Sequence, residues 1–327
     1  MKNNRVGFVD IAGFGDRLVR MNFLRQFEKR LGGCHVTYYA SHCYDFLEFA
    51  EFVNEWKYFP NLHQDQVLQQ AIDENDVAID VRYSVRFYNK GMPIDKDQYK
   101  GKDCGKFICD WLPKSGEEGI EWFYDDEKYL REHLIETCGY VTRPFSLWLK
   151  CRKTKYAVIA NGYSEHGETL TKTIPPDIIR EMCFALQDHG ITPVQVGRST
   201  DQYVPVVGCV NLVGKTSLEK MIPILDKSMG AFCSEGGMAH LSSHLHKPTV
   251  VLFGPTDPVF WGYPRNLNLQ SNSVCTHRPC WFKEEGWHLD CIAKKKGELP
   301  LVMGHPECMQ FDKKKVVKQA LEYWGLE

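Results

Sequence analysis

The chain has 327 residues and a formal net charge of −2, a length that permits two domains, each with its own core. The near-neutral charge argues against a general nucleic-acid-binding protein, because such proteins need a concentrated basic surface. The sequence contains no run of about 18 apolar residues, which a transmembrane helix would need. The N-terminus lacks the apolar core and cleavage site of a signal peptide. We therefore expect a cytoplasmic protein.

The N-terminal half alternates between strand and helix patterns. Strands are predicted over 5–11, 35–39 and 77–81, and helices over 17–30, 45–54 and 126–138. Residues 82–106 are charged and aromatic without a clear period, which predicts an inserted loop. The weakly patterned residues 139–154 would link two domains, which we place at 1–150 and 151–327.

The C-terminal half repeats this alternation. Strands are predicted over 156–160, 192–196, 209–212, 229–233 and 250–253, and helices over 176–189, 217–227, 238–246 and 311–324. Alternation of this kind is typical of parallel sheets that are covered by helices on both faces. The sequence therefore predicts an α/β protein with two Rossmann-like domains that face a cleft.

Two glycine-containing loops follow neighbouring strands in the second domain. Glu235-Gly236-Gly237 opens a helix, and Gly254-Pro255-Thr256-Asp257-Pro258 ends the next strand. Paired glycines let a ligand approach the backbone, and free N–H groups at a helix start favour an anion. Because both loops follow parallel strands, they should line one crevice and bind a phosphate-bearing ligand. An ordinary βαβ unit, whose glycines serve only packing, is the open alternative.

These two loops, with Met238-Ala239-His240 and Lys247-Pro248-Thr249 between them, resemble the signature of glycosyltransferase family 9, which contains the bacterial heptosyltransferases. The sequence departs from that signature at Glu235, where many members have Asp, and at Gly236, where they have Ser. The resemblance implies the GT-B fold and a nucleotide-diphosphate sugar donor such as ADP-heptose. It also implies that no catalytic metal is needed.

The turn Gly13-Phe14-Gly15-Asp16 lies between the first strand and the first helix. The resemblance implies that Asp16 corresponds to the catalytic base of the family. This base would take the proton of the acceptor hydroxyl as that oxygen attacks the anomeric carbon. The alternative is a capping aspartate, because Asp accepts hydrogen bonds from free N–H groups at a helix start.

The resemblance also implies a set of donor-binding residues. Lys172-Thr173-Ile174-Pro175 matches the family's KxWP element, with Ile174 in place of Trp, and Lys172 would contact the diphosphate. Arg198 would reach the phosphate or the base, and His240 would contact the donor. A solvated loop lysine and a packed helix histidine are the alternatives. The full predicted set is Lys172, Arg198, Glu235, Gly236, Gly237, His240 and Thr256.

A cysteine-rich segment lies between residues 275 and 308 and has little apolar periodicity. Its cysteines are Cys275, Cys280, Cys291 and Cys308. A metal ion would order such a segment, and four thiolates favour zinc or a mononuclear iron. Reduced, unliganded thiols are the alternative. The C-x4-C-W spacing resembles the finger of the autotransporter heptosyltransferases, which implies iron in a structural role remote from the chemistry.

Three functions remain open at this point. The first is an inverting glycosyltransferase that transfers a sugar, heptose being one candidate, to a hydroxyl of a glycan, a lipid-linked saccharide or a protein. The second is a non-catalytic nucleotide- or glycan-binding protein that keeps the GT-B fold. The third is a metal-knuckle assembly scaffold. Asp16, Lys172 and His240 together favour the first. A homo-oligomer is a candidate state, and no nucleic-acid partner is expected.

Overall fold

The computed structural model describes residues 4–11, 13, 15, 17–18, 20–21, 24, 33–41, 50, 52–81, 86–94, 155–162, 170–198, 206–280, 287 and 290–327. The chain divides into two compact units, Met1–Phe123 and Tyr124–Glu327. The domain boundary predicted at residue 150 and the helix predicted over 126–138 lie outside the described residues, so both stay predictions.

The first unit contains a five-stranded sheet with the strand order β3-β2-β1-β4-β5. The first four strands in chain order are parallel to their neighbours, and β5 runs antiparallel to β4. The elements are β1 (Arg5–Asp10), β2 (His35–Ala40), β3 (Glu55–Tyr58), α1 (Gln64–Glu74), β4 (Val77–Asp80) and β5 (Arg86–Asn89). Strands β1, β2 and β4 lie where the apolar runs predicted them.

Other elements of this unit differ from the prediction. The described residues at the end of the helix predicted over 45–54 are not helical, because Asn54 exchanges hydrogen bonds with Val36 instead and so leads into β3. Strand β3 was missed because its four residues are all half-buried and show no apolar run. Strand β5 lies inside the predicted loop of 82–106.

The helix after β1 is described only in part. Gly15, Arg17, Leu18, Arg20, Met21 and Leu24 are helical. Leu18, Met21 and Leu24 are fully buried, as the apolar face of the predicted helix requires. Asp16 lies outside the described residues, and its role stays a prediction.

The second unit contains a six-stranded parallel sheet with the strand order β11-β10-β9-β6-β7-β8. The strands are β6 (Tyr156–Ala160), β7 (Thr192–Gln195), β8 (Val210–Asn211), β9 (Ala231–Ser234), β10 (Thr249–Phe253) and β11 (Leu267–Gln270). The helices are α2 (Pro176–Asp188), α3 (Leu218–Asp226), α4 (Gly237–His244), α5 (Pro258–Trp261), α6 (Ile292–Lys295) and α7 (Lys313–Tyr323), with a 3-10 turn at Glu307–Met309. The alternation predicted for this half is confirmed, and β11 is an additional edge strand.

The core of the second unit forms where α2 and α7 pack on the sheet. Every residue of β6 and β10 is buried, and the buried face of each helix joins the same core. The helical residues in it are Ile178, Ile179, Met182, Cys183, Leu186, Val316, Val317, Ala320 and Leu321. Because β6, β9 and β10 are parallel neighbours, their carboxyl ends meet at one edge of the sheet, where ligands of α/β folds bind.

None of the helices in the described part of the chain has the length and apolar character needed to cross a membrane.

Candidate functional site

A buried carboxylate, Glu235, lies directly after β9 and is 6% exposed. Its Oε2 accepts hydrogen bonds from Lys172 Nζ at 2.5 Å and from Thr256 Oγ1 at 2.9 Å. Its Oε1 lies 3.7 Å from His240 Nε2. Four of the seven residues predicted to bind the donor therefore form one contact network, which we call the Glu235 network.

The Glu235 carboxyl is ionised at neutral pH. Burial by itself would raise its pKa, but the charge of Lys172 and the hydrogen bond and charge of His240 outweigh burial and hold the pKa of Glu235 at about 2. A buried carboxylate that stays charged needs such partners. The network is therefore an ion pair, and Lys172 is the cation that a ligand phosphate would meet.

Lys172 is the most accessible member of this network. Its side chain is 24% exposed, and its ammonium lies 5.2 Å from the centre of the Trp287 ring, within cation–π range. The loop that bears Lys172 is fixed beside β6, because Ile174 N donates to Asn161 O at 2.7 Å. The Ile174 side chain is fully buried, so this isoleucine serves the core.

Gly162 allows this loop to approach the end of β9. It has φ +83, and a Cβ at this position would overlap both the carbonyl oxygen of Lys172 and Ser234 Oγ. Any larger residue would therefore force the backbone of Lys172 or the side chain of Ser234 to shift. Sequence reasoning missed Gly162, although an Asn-Gly pair directly after a predicted buried strand is a detectable signal.

His240 lies on α4 and is 2% exposed. Its Nδ1 lies 2.8 Å from the hydroxyl of Tyr263, and the rings of Trp261 and Tyr263 contact it edge-on at 5.9 and 5.6 Å. These contacts fix the ring so that its Nε2 faces Glu235. Tyr263 was not among the predicted site residues. A direct contact of His240 with a donor stays a prediction, since the ring is packed on several sides.

The start of α4 offers open backbone. Gly236 is the N-cap with φ 154, and no described atom lies within 4 Å of the position where its Cβ would be. The first N–H groups of a helix have no partner within the helix, which makes them donors for an anion. Gly236 and Gly237 are thus placed where the sequence expects a phosphate, although a bound phosphate remains a prediction.

Two other residues near this edge have separate places. Arg198 is exposed and follows β7, which is two strands away from β9 in the sheet. Its contact with a phosphate or base therefore stays a prediction. Asp257 caps α5 by accepting a hydrogen bond from Val259 N at 2.9 Å, so its local role is that of a helix cap.

The first unit has its own buried carboxylate at Asp10, the last residue of β1. Asp10 accepts hydrogen bonds from Arg20 Nη1 and from the Tyr38 hydroxyl, both at 2.5 Å, and Arg17 Nε lies 3.8 Å away. Burial and the charge of Asp10 raise the pKa of Tyr38 well above its ordinary value. We call these four side chains the Asp10 cluster. Arg17 N also donates to Gly13 O at 3.1 Å, so the cluster adjoins Gly13.

The four cysteines predicted to bind a metal line a single cavity of about 20 Å³, together with Thr171, Pro255, Arg278 and Trp287. We call it the cysteine cavity. Burial, followed by the nearby thiols of Cys280, Cys291 and Cys275, raises the pKa of Cys308 well above its ordinary value. Within the described ranges, however, no three His, Cys, Asp or Glu side chains are arranged to hold a metal ion. The clustering of the cysteines is thus observed, whereas the metal is not shown.

The cysteine cavity adjoins the Glu235 network rather than lying far from it. Thr171 and Pro255 line the cavity and directly precede Lys172 and Thr256. Cys280 N donates to Pro255 O at 3.0 Å. Trp287 lines the cavity and also contacts the Lys172 ammonium. We expected the cysteines to lie far from the donor-binding residues. This expectation is wrong, because Trp287, which is distant from Lys172 in the sequence, both lines the cavity and contacts the Lys172 ammonium.

Comparisons with known proteins show what this chain resembles. Residues 171–286 match the profile of "Glycosyltransferase family 9 (heptosyltransferase)", a range that includes every predicted donor-binding residue. A curated relative, lipooligosaccharide heptosyltransferase 2 of Haemophilus influenzae, is 31% identical over 52 residues. That match spans 16% of this chain and 15% of the relative's length.

Two solved structures share the fold over nearly the whole chain. The Escherichia coli ADP-heptose lipopolysaccharide heptosyltransferase II has a TM-score of 0.60 at 16% identity, covering 99% of this chain and 98% of its own. The iron-containing dodecameric glycosyltransferase TibC of enterotoxigenic E. coli has a TM-score of 0.61 at 13% identity, covering 100% and 80%. These similarities confirm the predicted α/β architecture with two parallel-sheet units.

Proposed function

We propose that this chain, whose residues 171–286 match the model of glycosyltransferase family 9, is an inverting glycosyltransferase that uses a nucleoside-diphosphate sugar. The observation that carries the proposal is the Glu235 network beside the open backbone of Gly236. It combines a partly exposed cation, an ionised carboxylate and a helix N-terminus at the carboxyl edge of a parallel sheet, where phosphate-bearing ligands bind.

ADP-heptose is the donor that the similar proteins favour. The solved structures of similar fold include an ADP-heptose heptosyltransferase and a complex of TibC with ADP-D-β-D-heptose. ADP-heptose is the donor named for those proteins, and we extend it to this chain because the matched range includes Lys172, Glu235 and His240. The acceptor is a hydroxyl group of a glycan, a lipid-linked saccharide or a protein.

In this mechanism the second unit binds the donor and stabilises the leaving group. Negative charge grows on the diphosphate as the glycosidic bond breaks. Lys172 and the N–H groups of Gly236 and Gly237 would stabilise that charge without a catalytic metal. Glu235 would hold the Lys172 ammonium and orient it, with Thr256 and His240 fixing the carboxylate.

Asp16 is the proposed catalytic base. It would accept the proton of the acceptor hydroxyl while that oxygen attacks the anomeric carbon from the face opposite the leaving diphosphate. The Gly13-Phe14-Gly15-Asp16 pattern supports this role, and the Asp10 cluster supports a fixed turn, because it anchors two arginines of the following helix.

Calorimetry with ADP, the nucleotide that the donor releases, tests whether Lys172 contacts the phosphates. Lys172→Ala should weaken ADP binding much more than adenosine binding, because Lys172 is expected to contact the phosphates. Lys318→Ala is the matched control, since Lys318 is an exposed residue on α7 that pairs only with Glu322 in the described contacts. Equal losses for ADP and adenosine would contradict a phosphate contact.

Turnover measurements test the catalytic proposal and separate it from a binding-only function. Asp16→Asn should lower kcat by about 10²–10⁴-fold while ADP-heptose affinity stays close to that of the unaltered protein. Asp73→Asn, at an exposed site on α1, should leave kcat unchanged. Donor binding without turnover, tested in the unaltered protein over a panel of acceptors, would instead support the non-catalytic nucleotide- or glycan-binding function.

We also infer that Cys275, Cys280, Cys291 and Cys308 hold one structural iron or zinc ion. Four thiols line a cavity large enough for a single water-sized occupant. This donor set suits a tetrahedral thiolate site. The bound ion would order the segment, and TibC is described as iron-containing.

Elemental analysis tests the metal proposal. Purified protein should contain iron or zinc near one equivalent, and Cys291→Ser should lower both the metal content and the melting temperature. Cys34→Ser, at a buried cysteine of the other unit, should leave the metal content unchanged. Protein that contains no metal, and whose melting is insensitive to a chelator, would contradict the site.

The assembly of TibC as a dodecamer makes a homo-oligomer the proposed state of this protein. Light scattering of the purified protein measures its mass directly. A monomer would contradict the homo-oligomer, and an assembly without any donor binding would favour the scaffold function.

A further inference from the structure

Two cysteines outside the cysteine cavity face each other in the second unit. Cys183 lies on α2, and Cys209 lies in the turn that leads into β8. Their Sγ atoms are 2.7 Å apart. Neither residue belongs to the Glu235 network, and the proposed function uses neither.

The distance between the two sulfur atoms is shorter than an ordinary van der Waals contact. Non-bonded heavy atoms such as carbons rest about 3.5–4.0 Å apart, and sulfur is larger than carbon. A disulfide bond is about 2.05 Å long. The two sulfurs therefore lie inside ordinary contact distance and close to bonding distance, which needs side chains already turned towards each other.

The backbone around Cys209 is fixed on the surface of α2. Gln187 Nε2, one turn along the helix from Cys183, donates to Gly208 O at 2.7 Å. Cys209 N donates to Val206 O at 3.2 Å, which closes the turn. Gly208 has φ +95, a value that favours glycine. A bond between the sulfurs would therefore fasten a turn that already docks on the helix.

The two thiols differ in how an oxidant could reach them. Cys183 is fully buried in the core, whereas Cys209 is half-buried at its edge. The contact with Cys209, and then burial, raise the pKa of Cys183 well above its ordinary value, so Cys183 stays a thiol until its partner has reacted. Cys209 is thus the sulfur that a small oxidant meets first.

We propose that Cys183 and Cys209 form a reversible disulfide that fastens the 206–209 turn to α2. A small-molecule disulfide such as glutathione disulfide supplies the oxidant. The Cys209 thiolate attacks one sulfur of that disulfide, forms a mixed disulfide and releases one glutathione thiolate, which takes up a proton. Cys183 then loses its proton, attacks Cys209 Sγ and releases the second glutathione. Two protein thiols are oxidised, and one glutathione disulfide is reduced to two thiols.

The disulfide would raise the stability of the folded state by lowering the entropy of the unfolded chain. Cys183 and Cys209 are 26 residues apart, and this stretch contains β7 and Arg198. Closing a loop of this length restricts the unfolded chain, so the oxidised protein should melt about 5–10 °C higher than the reduced protein. Because the sulfurs lie outside the Glu235 network, the effect on ADP affinity should be small.

Peptide mapping under non-reducing conditions tests the proposal directly. The purified full-length protein is treated with glutathione disulfide, thiols are blocked, and the digest is examined by mass spectrometry. We expect a linked peptide pair that contains Cys183 and Cys209 and disappears after reduction. Cys209 left as a glutathione adduct beside a free Cys183 would overturn the proposal, as would both residues remaining thiols.

The melting temperature gives a second measurement. The rise on oxidation should appear in the unaltered protein and in Cys34→Ser, and it should be absent in Cys209→Ser. An equal rise in Cys209→Ser would overturn the stabilising role, because another cysteine would then cause it. The mapping of the unaltered protein does not depend on any variant folding, and it also does not depend on sugar transfer.

Discussion

Each unit contains a buried carboxylate at the carboxyl end of a central parallel strand, yet the two have different surroundings. Asp10 is paired with Arg17 and Arg20, and the side chains of these three residues are at most 7% exposed. Glu235 is just as buried, but its cation, Lys172, is 24% exposed. The first group is closed to solvent, whereas the second can be reached from it.

We expect this difference to separate a structural ion cluster from a binding site. A closed cluster holds elements together, because Asp10 accepts hydrogen bonds from both Arg20 and Tyr38 and also lies near Arg17. A lysine at the edge of a buried carboxylate can exchange part of its contact for a ligand anion. The Asp10 cluster should therefore matter chiefly for stability, and the Glu235 network for both stability and donor affinity.

The largest expected effect is the loss of Asp10. Asp10→Asn would leave Arg17 and Arg20 buried without their carboxylate, which should lower the free energy of unfolding by about 3–5 kcal/mol. Urea denaturation followed by far-UV circular dichroism measures this change. Asp73→Asn, on the exposed face of α1, is the control and should change stability by less than about 0.5 kcal/mol. Equal effects of the two substitutions would mean that the cluster does not stabilise the first unit.

Acid should act on Glu235 in a defined range of pH. The folded-state pKa of about 2 lies below the ordinary value of 4.5, so the stabilisation is fully present above pH 4.5 and is lost as the pH falls towards 2. The loss should amount to about 3 kcal/mol. Stability measured at several pH values in this range would show a smaller slope for Glu235→Gln than for the unaltered protein. Identical slopes would contradict the lowered pKa.

At neutral pH, Glu235→Gln should cost less than Asp10→Asn. Lys172 can turn towards water when the carboxylate is gone, so we expect a stability loss of about 2 kcal/mol. ADP affinity should fall as well, because Lys172 is no longer oriented. Calorimetry and urea denaturation of the same variant measure both quantities. Normal ADP affinity of Glu235→Gln would mean that Glu235 has only a structural role. Glu235 and Asp10 would then not differ in function.

The smallest expected effects come from two tyrosine hydroxyls. Tyr38 donates to the charged Asp10, whereas Tyr263 contacts the ring of His240. The Tyr38 hydroxyl donates to a fully buried carboxylate, and a hydrogen bond to a charged group is worth about 1.5–3 kcal/mol, so Tyr38→Phe should destabilise the protein more than Tyr263→Phe. Thermal unfolding of the two variants gives the order. The reverse order would mean that the two clusters differ less than their burial suggests.

The fold was predictable where strands are buried on both faces. Strands β1, β6 and β10 appear in the sequence as short apolar runs, and their burial agrees with that pattern. Strands β3 and β11 lie at sheet edges and are mostly half-buried, so they have no such run. Helix α1 was missed because its four buried residues lie among glutamine, aspartate and glutamate.

The site was predictable where residues belong to local motifs. Glu235, Gly236, Gly237 and His240 follow one strand, and Thr256 follows the next. Tyr263 and Trp287 reach the network from distant segments, and no periodicity in the sequence connects them to it. The pairing of Lys172 with Glu235 spans 63 residues and is decided by the order of β6 and β9 in the sheet.

Gly162 determines how far the Lys172 loop can move inwards, although it has no side chain of its own. The space that its missing Cβ leaves is filled by the carbonyl of Lys172 and by Ser234. We therefore expect donor affinity to be sensitive to a position that has no charge and no hydrogen-bonding side chain. A survey of natural variants that scores only polar residues as functional would classify a change at Gly162 as harmless, although the new side chain would clash with the backbone of Lys172 and with Ser234.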